Sequence, residues 1–440
     1  MKRYETYKDN GILWLDAIPS HWHEEKLKHI STCNDEVLSE DTPDELIIHY
    51  VEISDVDSVS GINNHTDYTF ANAPSRARRI TRKNDVIIST VRTYLKAIAT
   101  VKEDDLIVST GFAVIRPTKV NQKYLAYSLL NDDFLGEVIS KSVGVSYPAI
   151  NATDLIEIKI PVPPREEQET IATFLDHKVG QIDATIAEKE QMLEDLKAYR
   201  SAIISEVVTK GLDKNVEMKD SGVEWIGMIP KHWVTKRLKF VSNNFDGTHY
   251  SPETKENGKP YVTAADIRGK GIDYASTKKI SQKDYDRLVE QGCKIENNDV
   301  LLVKDGATTG RVGLMIDSEE CVALSSVAML RPKEGIYPLF LMYCMMSNAM
   351  QTQITNSMAG SAMPRITLTK LNEFIICVPH VDEQRKIAAF VDGKIEKIDR
   401  TIDEINIQID ALKSYKSALI TEAVTGKIDL RDWKPKEEKV

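Results

Sequence analysis

The residues Glu157, Ile158 and Lys159 have the spacing of the Glu-x-Lys motif of metal-dependent nucleases. In that chemistry a carboxylate holds a divalent cation, which activates the oxygen that attacks the phosphodiester. The sequence contains an internal repeat, and the counterpart of this segment is 373–375, Glu-Phe-Ile, which has no lysine. The charged residues also fit a strand with one solvent-facing side. The pattern therefore disfavours nuclease activity.

Other catalytic motifs are incomplete or missing. The segment GATTGRV (306–312) lacks the lysine with which a P-loop reaches a phosphate. There is no N-P-P-[YF] or D-P-P-[YF] motif of amino methylation, and no Gly-rich methyl-donor loop. The run His-Trp-His at 21–23 suggests a metal, but its counterpart at 232–234 is His-Trp-Val, so a structural role is favoured. We predict no catalytic residue, no metal site and no cofactor in this chain.

Basic residues are concentrated in one part of the chain. Segment 76–102 holds eight Lys and Arg against one acidic residue, whereas segment 278–311 holds seven against six. Arginine suits bidentate contact with guanine or phosphate, so this concentration of charge is compatible with DNA binding. For any single residue, a solvated charged face is the alternative. The candidate DNA contacts, chosen on chemistry alone, are Arg76, Arg78, Arg79, Arg82, Lys83, Arg92, Tyr94, Lys96, Tyr147, Thr248, His249, Tyr250, Lys304, Thr308, Thr309, Arg311 and Arg365.

A nine-residue segment occurs twice, as WLDAIPSHW and as WIGMIPKHW. Extended backwards, Lys8–Trp22 and Lys219–Trp233 share eight of fifteen residues. A second block, Glu166–Thr209, aligns without gaps with Asp382–Thr425, and 21 of 44 positions are identical. The chain is therefore a tandem duplication with constant ends and variable middles.

The variable middles have the pattern of mixed sheets covered by helices. Short apolar runs such as NDVIIST (84–90) and NDVLLVK (298–304) are bounded by Asn-Asp, Gly and Pro, which is typical of strands. The stretches 122–140 and 337–356 have helical periodicity. Each middle is therefore predicted to be an α+β domain of about 150 residues.

The constant blocks have the period of long helices. Apolar residues alternate at spacings of four and three, interrupted only at Lys189, Arg200 and Lys416. This spacing favours a coiled coil. We predict two long antiparallel helices related by a pseudo-two-fold axis, which hold the two domains apart over roughly 65 Å. Two separate amphipathic helices, each packed on its own domain, are the alternative.

The net charge of −10 would oppose DNA binding if it were spread evenly over the chain. However, block 165–207 has a balance of −5 and block 382–426 a balance of −2. The acidic residues are therefore concentrated on the long helices, and the domains remain free to present positive surfaces.

Composition indicates a folded cytoplasmic protein. Apolar residues make up 42% of the chain, and the five cysteines are scattered without a CxxC pair, which argues against a zinc site or a disulfide framework. No apolar run reaches the roughly 18–20 residues that a membrane span requires. The first residues have no apolar core of the kind found in a secretory signal.

Together these motifs resemble the specificity subunits of type I restriction-modification systems. The most specific are I-P-x-H-W at the entrance of each domain and the run IPVPPREEQETIATFLD (160–176). The second copy of that run, CVPHVDEQRKIAAFVD (377–392), has His380 in place of the second proline. Segments 247–267 and 325–332 also match the style of the family. The resemblance covers nearly all 440 residues.

The resemblance implies both function and partners. In that family each variable domain reads one half of a split, asymmetric DNA site, and the long helices set the gap. Two modification subunits dock to form an adenine methyltransferase, and two restriction (motor-nuclease) subunits add cleavage. The chain itself would be non-catalytic, and S-adenosylmethionine, ATP and Mg²⁺ would belong to the partners.

On this interpretation the chain has five segments. The first target-recognition domain is 1–160 and the second is 213–378. The central long helix is 161–212, the distal long helix is 379–430, and 431–440 is a flexible tail. The main alternative is a duplicated coiled-coil scaffold without DNA readout, which the near-neutral second domain favours. An independent nuclease or methyltransferase is opposed by the missing motifs.

Overall fold

The computed structural model describes residues 2–58, 60–316, 319–358 and 365–435. The chain divides into two compact units. The first unit comprises residues 1–190 together with 406–440, and the second comprises residues 191–405. The first unit is thus assembled from both ends of the chain, whereas the second is one continuous segment.

The first unit mixes short strands with helices. Its strands are β1 (Tyr7–Asp9), β2 (Ala17–Pro19), β3 (His23–Lys26), β4 (Ser31–Cys33), β5 (Ile47–Val51), β6 (Val56–Asp57), β7 (Gly61–Ile62), β8 (Thr66–Thr69), β9 (Ala77–Ile80), β10 (Val86–Ser89), β11 (Ile98–Thr100), β12 (Leu106–Ser109), β13 (Phe112–Pro117) and β14 (Lys159–Val162). Its helices are α1 (Leu27–Ile30), α2 (Gln122–Leu130), α3 (Asp132–Ser140), α4 (Ala152–Leu155) and the first part of α5 (Arg165–Lys210). One-turn 3-10 helices lie at Ile53–Asp55, Phe70–Asn72 and Thr93–Leu95.

Two four-stranded sheets form the body of the first unit, in the orders β11-β10-β13-β4 and β8-β5-β12-β9. Strand β10 is buried on both faces. Val86 and Ile88 pack in a core with residues of α2 and α3, and Ile87 packs with residues of β5 and β12 in the other sheet. A strand that is covered on both sides needs an unbroken apolar run, which explains the sequence NDVIIST.

The second unit has the same kind of composition. Its strands are β15 (Met218–Asp220), β16 (Met228–Pro230), β17 (Val234–Arg237), β18 (Ser242–Asp246), β19 (Thr254–Lys255), β20 (Lys259–Val262), β21 (Lys278–Ile280), β22 (Val300–Val303), β23 (Val312–Leu314), β24 (Val322–Ala323), β25 (Val327–Pro332) and β26 (Ile375–Val378). Its helices are α6 (Leu238–Val241), α7 (Gln282–Glu290), α8 (Pro338–Met346), α9 (Asn348–Met358), α10 (Leu368–Glu373) and the first part of α11 (Val381–Val424). The predicted α+β class is confirmed in both units.

The second unit repeats the sheet order of the first and departs from it at one strand. The order β23-β22-β25-β18 corresponds to β11-β10-β13-β4, and the parallel pair β20-β24 corresponds to β5-β12. In the place of β9 the described chain has a single bridge between Lys294 and Val322. Because β9 carries Arg78 and Arg79, the two units diverge where the basic residues are concentrated.

The two long helices pair with each other in both units. In the first unit, Lys416 Nζ lies 2.7 Å from Asp183 Oδ1. In the second unit, Arg200 Nε lies 3.2 Å from Asp399 Oδ1. The partner numbers fall along α11 as they rise along α5, so the helices are antiparallel. The predicted pairing is confirmed, and separate packing of each helix is excluded.

The polar interruptions of the heptad pattern have a role in this pairing. Lys189 Nζ donates to Gln408 Oε1 at 2.6 Å, and Arg200 and Lys416 form the ion pairs described above. Most of the predicted apolar stripe is buried, including Leu175, Val179, Ile182, Ile186, Leu193, Val207, Val391, Ile395, Ile398, Ile405, Ile409, Leu419 and Ala423. Among the described helices, none has an apolar stretch long enough to cross a bilayer.

The residues that follow α11 pack on the start of the chain. Asp429 N donates to Lys2 O at 2.8 Å, and the Trp433 ring lies 5.2 Å from the Phe174 ring. The sequence predicts a flexible tail from residue 431, and within that segment the Trp433 ring makes an edge-on aromatic contact with the ring of Phe174. Residues 436–440 of that predicted tail lie outside the described residues.

Candidate nucleic-acid interface

The repeated His-Trp pair holds the start of a long helix in each unit. In the first unit, Trp22 Nε1 donates to Glu167 Oε1 at 3.1 Å, and His21 Nε2 lies 2.8 Å from Glu167 Oε2. Tyr4 also hydrogen-bonds this carboxylate, and burial and the bond to Glu167 raise the pKa of Tyr4. The favoured structural role of the pair is consistent with these contacts.

The second unit repeats this arrangement with Glu383. Trp233 Nε1 donates to Glu383 Oε1 at 3.1 Å, and His232 Nε2 lies 2.9 Å from Glu383 Oε2. In each unit, therefore, the nine-residue segment contacts the Glu-Gln pair at the start of the long helix. The duplication repeats this one contact. The two copies are identical at these positions because the residues hold the scaffold together, and not because they form a DNA-binding site.

The Glu-x-Lys residues are used in ion pairs with other groups. Glu157 lies 2.7 Å from Lys26 Nζ, and hydrogen bonds from Lys26 and then Lys28 lower the pKa of Glu157 to about 2. Lys159 instead donates to Glu24 at 2.8 Å. Glu157 and Lys159 thus pair with other residues and not with each other. This arrangement agrees with the prediction that the motif is not a nuclease site.

The candidates on and around β9 differ in how far they reach solvent. Arg78 lies over the Phe70 ring, 4.7 Å from its centroid. Arg82 Nε donates to Glu36 Oε2 at 3.2 Å, so a carboxylate offsets its charge. Arg79 is half-buried, and burial lowers the pKa of its guanidinium. Each of these three arginines is therefore stacked on a ring, paired with a carboxylate or half-buried within the unit.

Arg76 and Lys83 are the more available candidates of this group. Both are exposed, and in the part of the chain that the structure describes their side chains have no ion pair or hydrogen bond. No described carboxylate forms an ion pair with either side chain, although Asp104 Oδ1 accepts a hydrogen bond from Lys83 N at 2.8 Å. Exposed cations of this kind suit contact with phosphate.

Two loops of the first unit meet close to Arg76. Thr93 Oγ1 lies 2.7 Å from Ser142 Oγ, and Ile150 N donates to Thr90 O at 2.9 Å, so the loops 90–96 and 142–150 are tied together. They expose large apolar side chains at one place, which is unusual for a surface with no ligand. We call this set the apolar patch; its members are Tyr94, Leu95, Val143, Val145 and Tyr147.

Cationic groups flank the apolar patch. The Arg92 guanidinium lies 4.9 Å from the centroid of the Tyr147 ring. Arg92 and Lys96 have φ values of 51° and 50°, a left-handed conformation that is costly for residues with a side chain and that occurs often at functional sites. Lys96 Nζ donates to Asp132 Oδ1 at 2.6 Å, so this candidate is turned towards the unit.

A short turn joins the apolar patch to the basic strand. Thr110 N donates to Arg76 O at 2.8 Å, and Thr90 N donates to Gly111 O at 2.8 Å. Arg76 therefore adjoins the loop that carries Arg92. The first unit thus brings positive charge and exposed apolar side chains together on neighbouring segments, a combination that suits a nucleic-acid backbone beside base surfaces.

In the second unit two of the candidates, Lys304 and Thr248, are buried. Lys304 is only 2% exposed, and its Nζ lies 3.3 Å from Asp246 Oδ1 and 3.5 Å from Asp305 Oδ2. A lysine that is held between two carboxylates is not available to DNA. Arg365 Nε lies 3.3 Å from Asp305 Oδ1, so Lys304 and Arg365 share a carboxylate.

The other candidates of the second unit lie at or near the surface. His249 and Arg311 are exposed, and Tyr250 is stacked under the Arg287 guanidinium at 4.6 Å. Thr309 Oγ1 donates to Gly306 O at 2.7 Å within a tight turn, which leaves Thr308 and Thr309 only half-exposed. This group is smaller and less basic than that of the first unit.

Sequence reasoning missed several of the exposed residues. Val143, Val145 and Leu95 carry no charge and so lie outside the basic pattern, although apolar residues in a loop with glycine and serine are themselves a signal of an exposed contact surface. Arg287 was missed because only the packing of α7 brings it over Tyr250. Partners that are distant in sequence leave no local pattern.

The comparison with known families decides the assignment. The model of the type I restriction modification DNA specificity domain matches residues 44–197 and 230–411, more than half of the chain. The chain belongs to this family. This chain is 25% identical over 325 residues to the EcoBI specificity subunit of Escherichia coli, and the match covers 71% of this chain and 67% of that subunit.

Two archaeal relatives and one solved structure extend the similarity. The MjaVIII specificity subunit of Methanocaldococcus jannaschii is 26% identical, with 70% of this chain and 71% of that one covered. The MjaIX subunit of the same organism is 24% identical over 98% of both chains. A structure described as showing complex assembly and conformational transition of the type I R-M system matches with a TM-score of 0.69 at 22% identity, over 93% of this chain and 99% of that one, and shares the fold.

Family membership fixes the function at the level of the subunit. The protein is a DNA-recognition subunit of the type I restriction-modification class, and catalysis in that class belongs to other subunits. A scaffold without DNA readout is therefore not favoured. The missing methyltransferase and nuclease motifs follow from this division of work.

Proposed function

We propose that each variable domain of this specificity subunit reads one half of a bipartite, asymmetric DNA site. The observation that supports this is the contrast between conserved scaffold contacts and diverged surfaces. The contacts of Glu167 recur at Glu383, whereas β9, which carries Arg78 and Arg79, has no matching strand in the described part of the second unit. Two units that share their scaffold contacts but differ in their surfaces are suited to two different half-sites.

Within this proposal the first domain makes most of its phosphate contacts through Arg76, Lys83 and Arg92. Base contacts come from the apolar patch. In the second domain His249, Tyr250 and Arg311 are the contacting residues, and Arg365 contributes little because its Nε lies 3.3 Å from Asp305 Oδ1. Lys304 is left out because it is buried, and Arg82 and Lys96 contribute little because carboxylates offset their charges.

We propose further that two methyltransferase subunits dock on the repeated scaffold, and that two restriction subunits can join them. Tyr199 on α5 and Tyr415 on α11 support a stoichiometry of two. They occupy equivalent positions of the duplication, and both are more than half exposed. A duplicated frame offers quasi-equivalent surfaces to identical partners. S-adenosylmethionine, ATP and Mg²⁺ then belong to those partners, and the complex works in the cytoplasm.

A domain exchange tests the bipartite reading. Residues 1–160 are replaced by the matching segment of another family member with a known site, and the hybrid is expressed with the methyltransferase subunit. Mapping of methylated adenines across the genome should show one half-site replaced and the other retained. A hybrid that changes both half-sites, or neither, would contradict separate reading.

A further inference from the structure

Two histidines and one aspartate lie together on one face of the first unit; His49 and Asp67 are on neighbouring strands, and His65 comes directly before one of them. His49 is on β5, directly opposite Asp67 on the antiparallel strand β8. His65 precedes Asp67 by two residues, and residues at this spacing share a face of a strand. Strand pairing therefore brings the three side chains to one place, although His49 and His65 are sixteen positions apart in the chain.

The side-chain atoms have the spacing of a coordination site. His49 Nδ1 lies 2.7 Å and His65 Nε2 lies 3.6 Å from the same atom, Asp67 Oδ1. All the ligand atoms lie within 4.8 Å of one another. Ligands about 2.0–2.2 Å from a tetrahedral zinc are separated by roughly 3.3–3.5 Å, so small movements would accommodate an ion. In the described part of the chain, no other group of three His, Cys, Asp or Glu side chains meets this spacing.

The strands beneath the cluster limit how far its residues can move. On either side of His49, Ile48 and Tyr50 are buried, so the backbone of β5 is held by the core. The Tyr50 ring also packs against the ring of Tyr68, the residue after Asp67, at 6.3 Å. Two of the three ligands are thus positioned before any ion arrives, which reduces the ordering cost of binding.

We infer that His49, His65 and Asp67 form a binding site for one divalent transition-metal ion, with Zn²⁺ as the best match. Two imidazole nitrogens and one carboxylate oxygen are ligands that zinc accepts, and they leave a fourth position open to solvent. Mg²⁺ and Ca²⁺ are poor candidates because they prefer oxygen ligands.

A bound ion would join two parts of the first domain. It would link β8, an edge strand of its sheet, to β5, and it would close the loop between residues 49 and 65. Closure of a loop by a metal link removes conformational freedom from the unfolded chain. The expected result is a first domain that is more stable with zinc than without it, whether or not DNA is present.

Zinc titration of the full-length, untagged chain tests the site. Calorimetry after treatment with a chelator should show one equivalent of Zn²⁺ bound, and Co²⁺ should give the visible absorption of a low-symmetry nitrogen and oxygen site. His49→Ala, His65→Ala and Asp67→Asn should each weaken the binding at least tenfold. Mg²⁺ should not compete at millimolar concentration.

The matched control is His29→Ala. His29 is an exposed histidine of the same unit, and its Nδ1 lies 3.0 Å from Glu25 Oε2, but the pair has no second histidine. This variant should bind zinc like the parent chain. The inference is overturned if the parent binds no stoichiometric zinc, or if binding survives in the three site variants. Neither result depends on DNA recognition, so the proposed function is tested separately.

Discussion

Arg200 and Asp399 form an ion pair between the two long helices, with Nε 3.2 Å from Oδ1. Lys416 and Asp183 occupy the equivalent positions, 216 residues away in the duplication, and lie 2.7 Å apart. Each pair joins a basic residue of one helix to an acidic residue of the other. The register of the antiparallel helices is therefore fixed by the same contact made twice.

The first prediction uses this register to test whether the helices set the gap between half-sites. Four residues are inserted after Gln191 in α5 and four after Ile407 in α11, between the two ion pairs in each helix. Four residues add about 6 Å of helix and nearly restore the apolar stripe. Because DNA rises about 3.4 Å per base pair, the gap should lengthen by one or two pairs while the half-sites stay the same.

The measurement is methylated-site mapping for the double insertion beside the parent chain. An insertion in α5 alone is the control, because it displaces one ion pair relative to the other and should lower the stability of the protein. Full activity of the double insertion at the original gap would mean that the helices do not set the spacing.

The second prediction concerns phosphate contacts. Replacing Arg76 and Lys83 with alanine should weaken binding to all DNA sequences. It should reduce the slope of log K against log salt by about one for each lost contact. Arg82→Ala is the control and should change the slope less, because Glu36 already pairs with Arg82. DNA titrations of the complex with its partner subunits, at several salt concentrations, measure the affinity and the slope for each variant. If specificity at one base position relaxed while the slope stayed constant, Arg76 and Lys83 would contact bases and not phosphates.

The third prediction concerns the apolar patch. Val145→Ser and Tyr147→Ser should each weaken specific binding by about tenfold, because an apolar contact with a base is lost. The salt slope should stay constant, since no charge is removed. Competition between specific and unrelated DNA provides the measurement. An equal loss for both kinds of DNA would show that the patch supports the fold of the loops and does not read bases.

The fourth prediction concerns the repeated scaffold contact. Glu167→Ala should lower the free energy of unfolding by about 2–4 kcal/mol, because it leaves the buried donors of Trp22 and Tyr4 without an acceptor. Glu166→Ala is the control, since that neighbouring side chain is exposed and should have little effect. Chemical denaturation of both variants compares them. Equal stability would mean that water replaces the carboxylate.

The sequence predicted the duplication, the α+β class and the paired helices because each of these is a local or periodic signal. Identity between distant segments and the spacing of apolar residues such as Leu175 and Val179 can be counted along the chain. The paired helices also bury most of that stripe, so the pattern and the packing agree.

The exposure and pairing of the candidate site residues could not be predicted in the same way, because they depend on residues that are far away in sequence. Lys304 and Arg76 are both basic residues, but two aspartates surround the first and none of the described carboxylates pairs with the second. The His49 cluster has the same origin: only the register of β5 and β8 brings its members together. The distribution of basic residues is thus compatible with DNA as the ligand, whereas the fold determines which of those basic residues are exposed to it.

The assembly of the first unit from both ends of the chain affects the order in which the protein matures on the ribosome. Domains usually fold in the order of their synthesis, from the N-terminus onwards. Here Lys2 meets Asp429 and Phe174 meets Trp433, so the first unit obtains these contacts only after residues 429–433 have been made. The second unit, residues 191–405, has its whole sequence earlier. The second unit can thus be complete while the first unit still lacks the residues after 405, and a chain stopped between the two parts of the first unit would lose contacts of the domain that was made earlier.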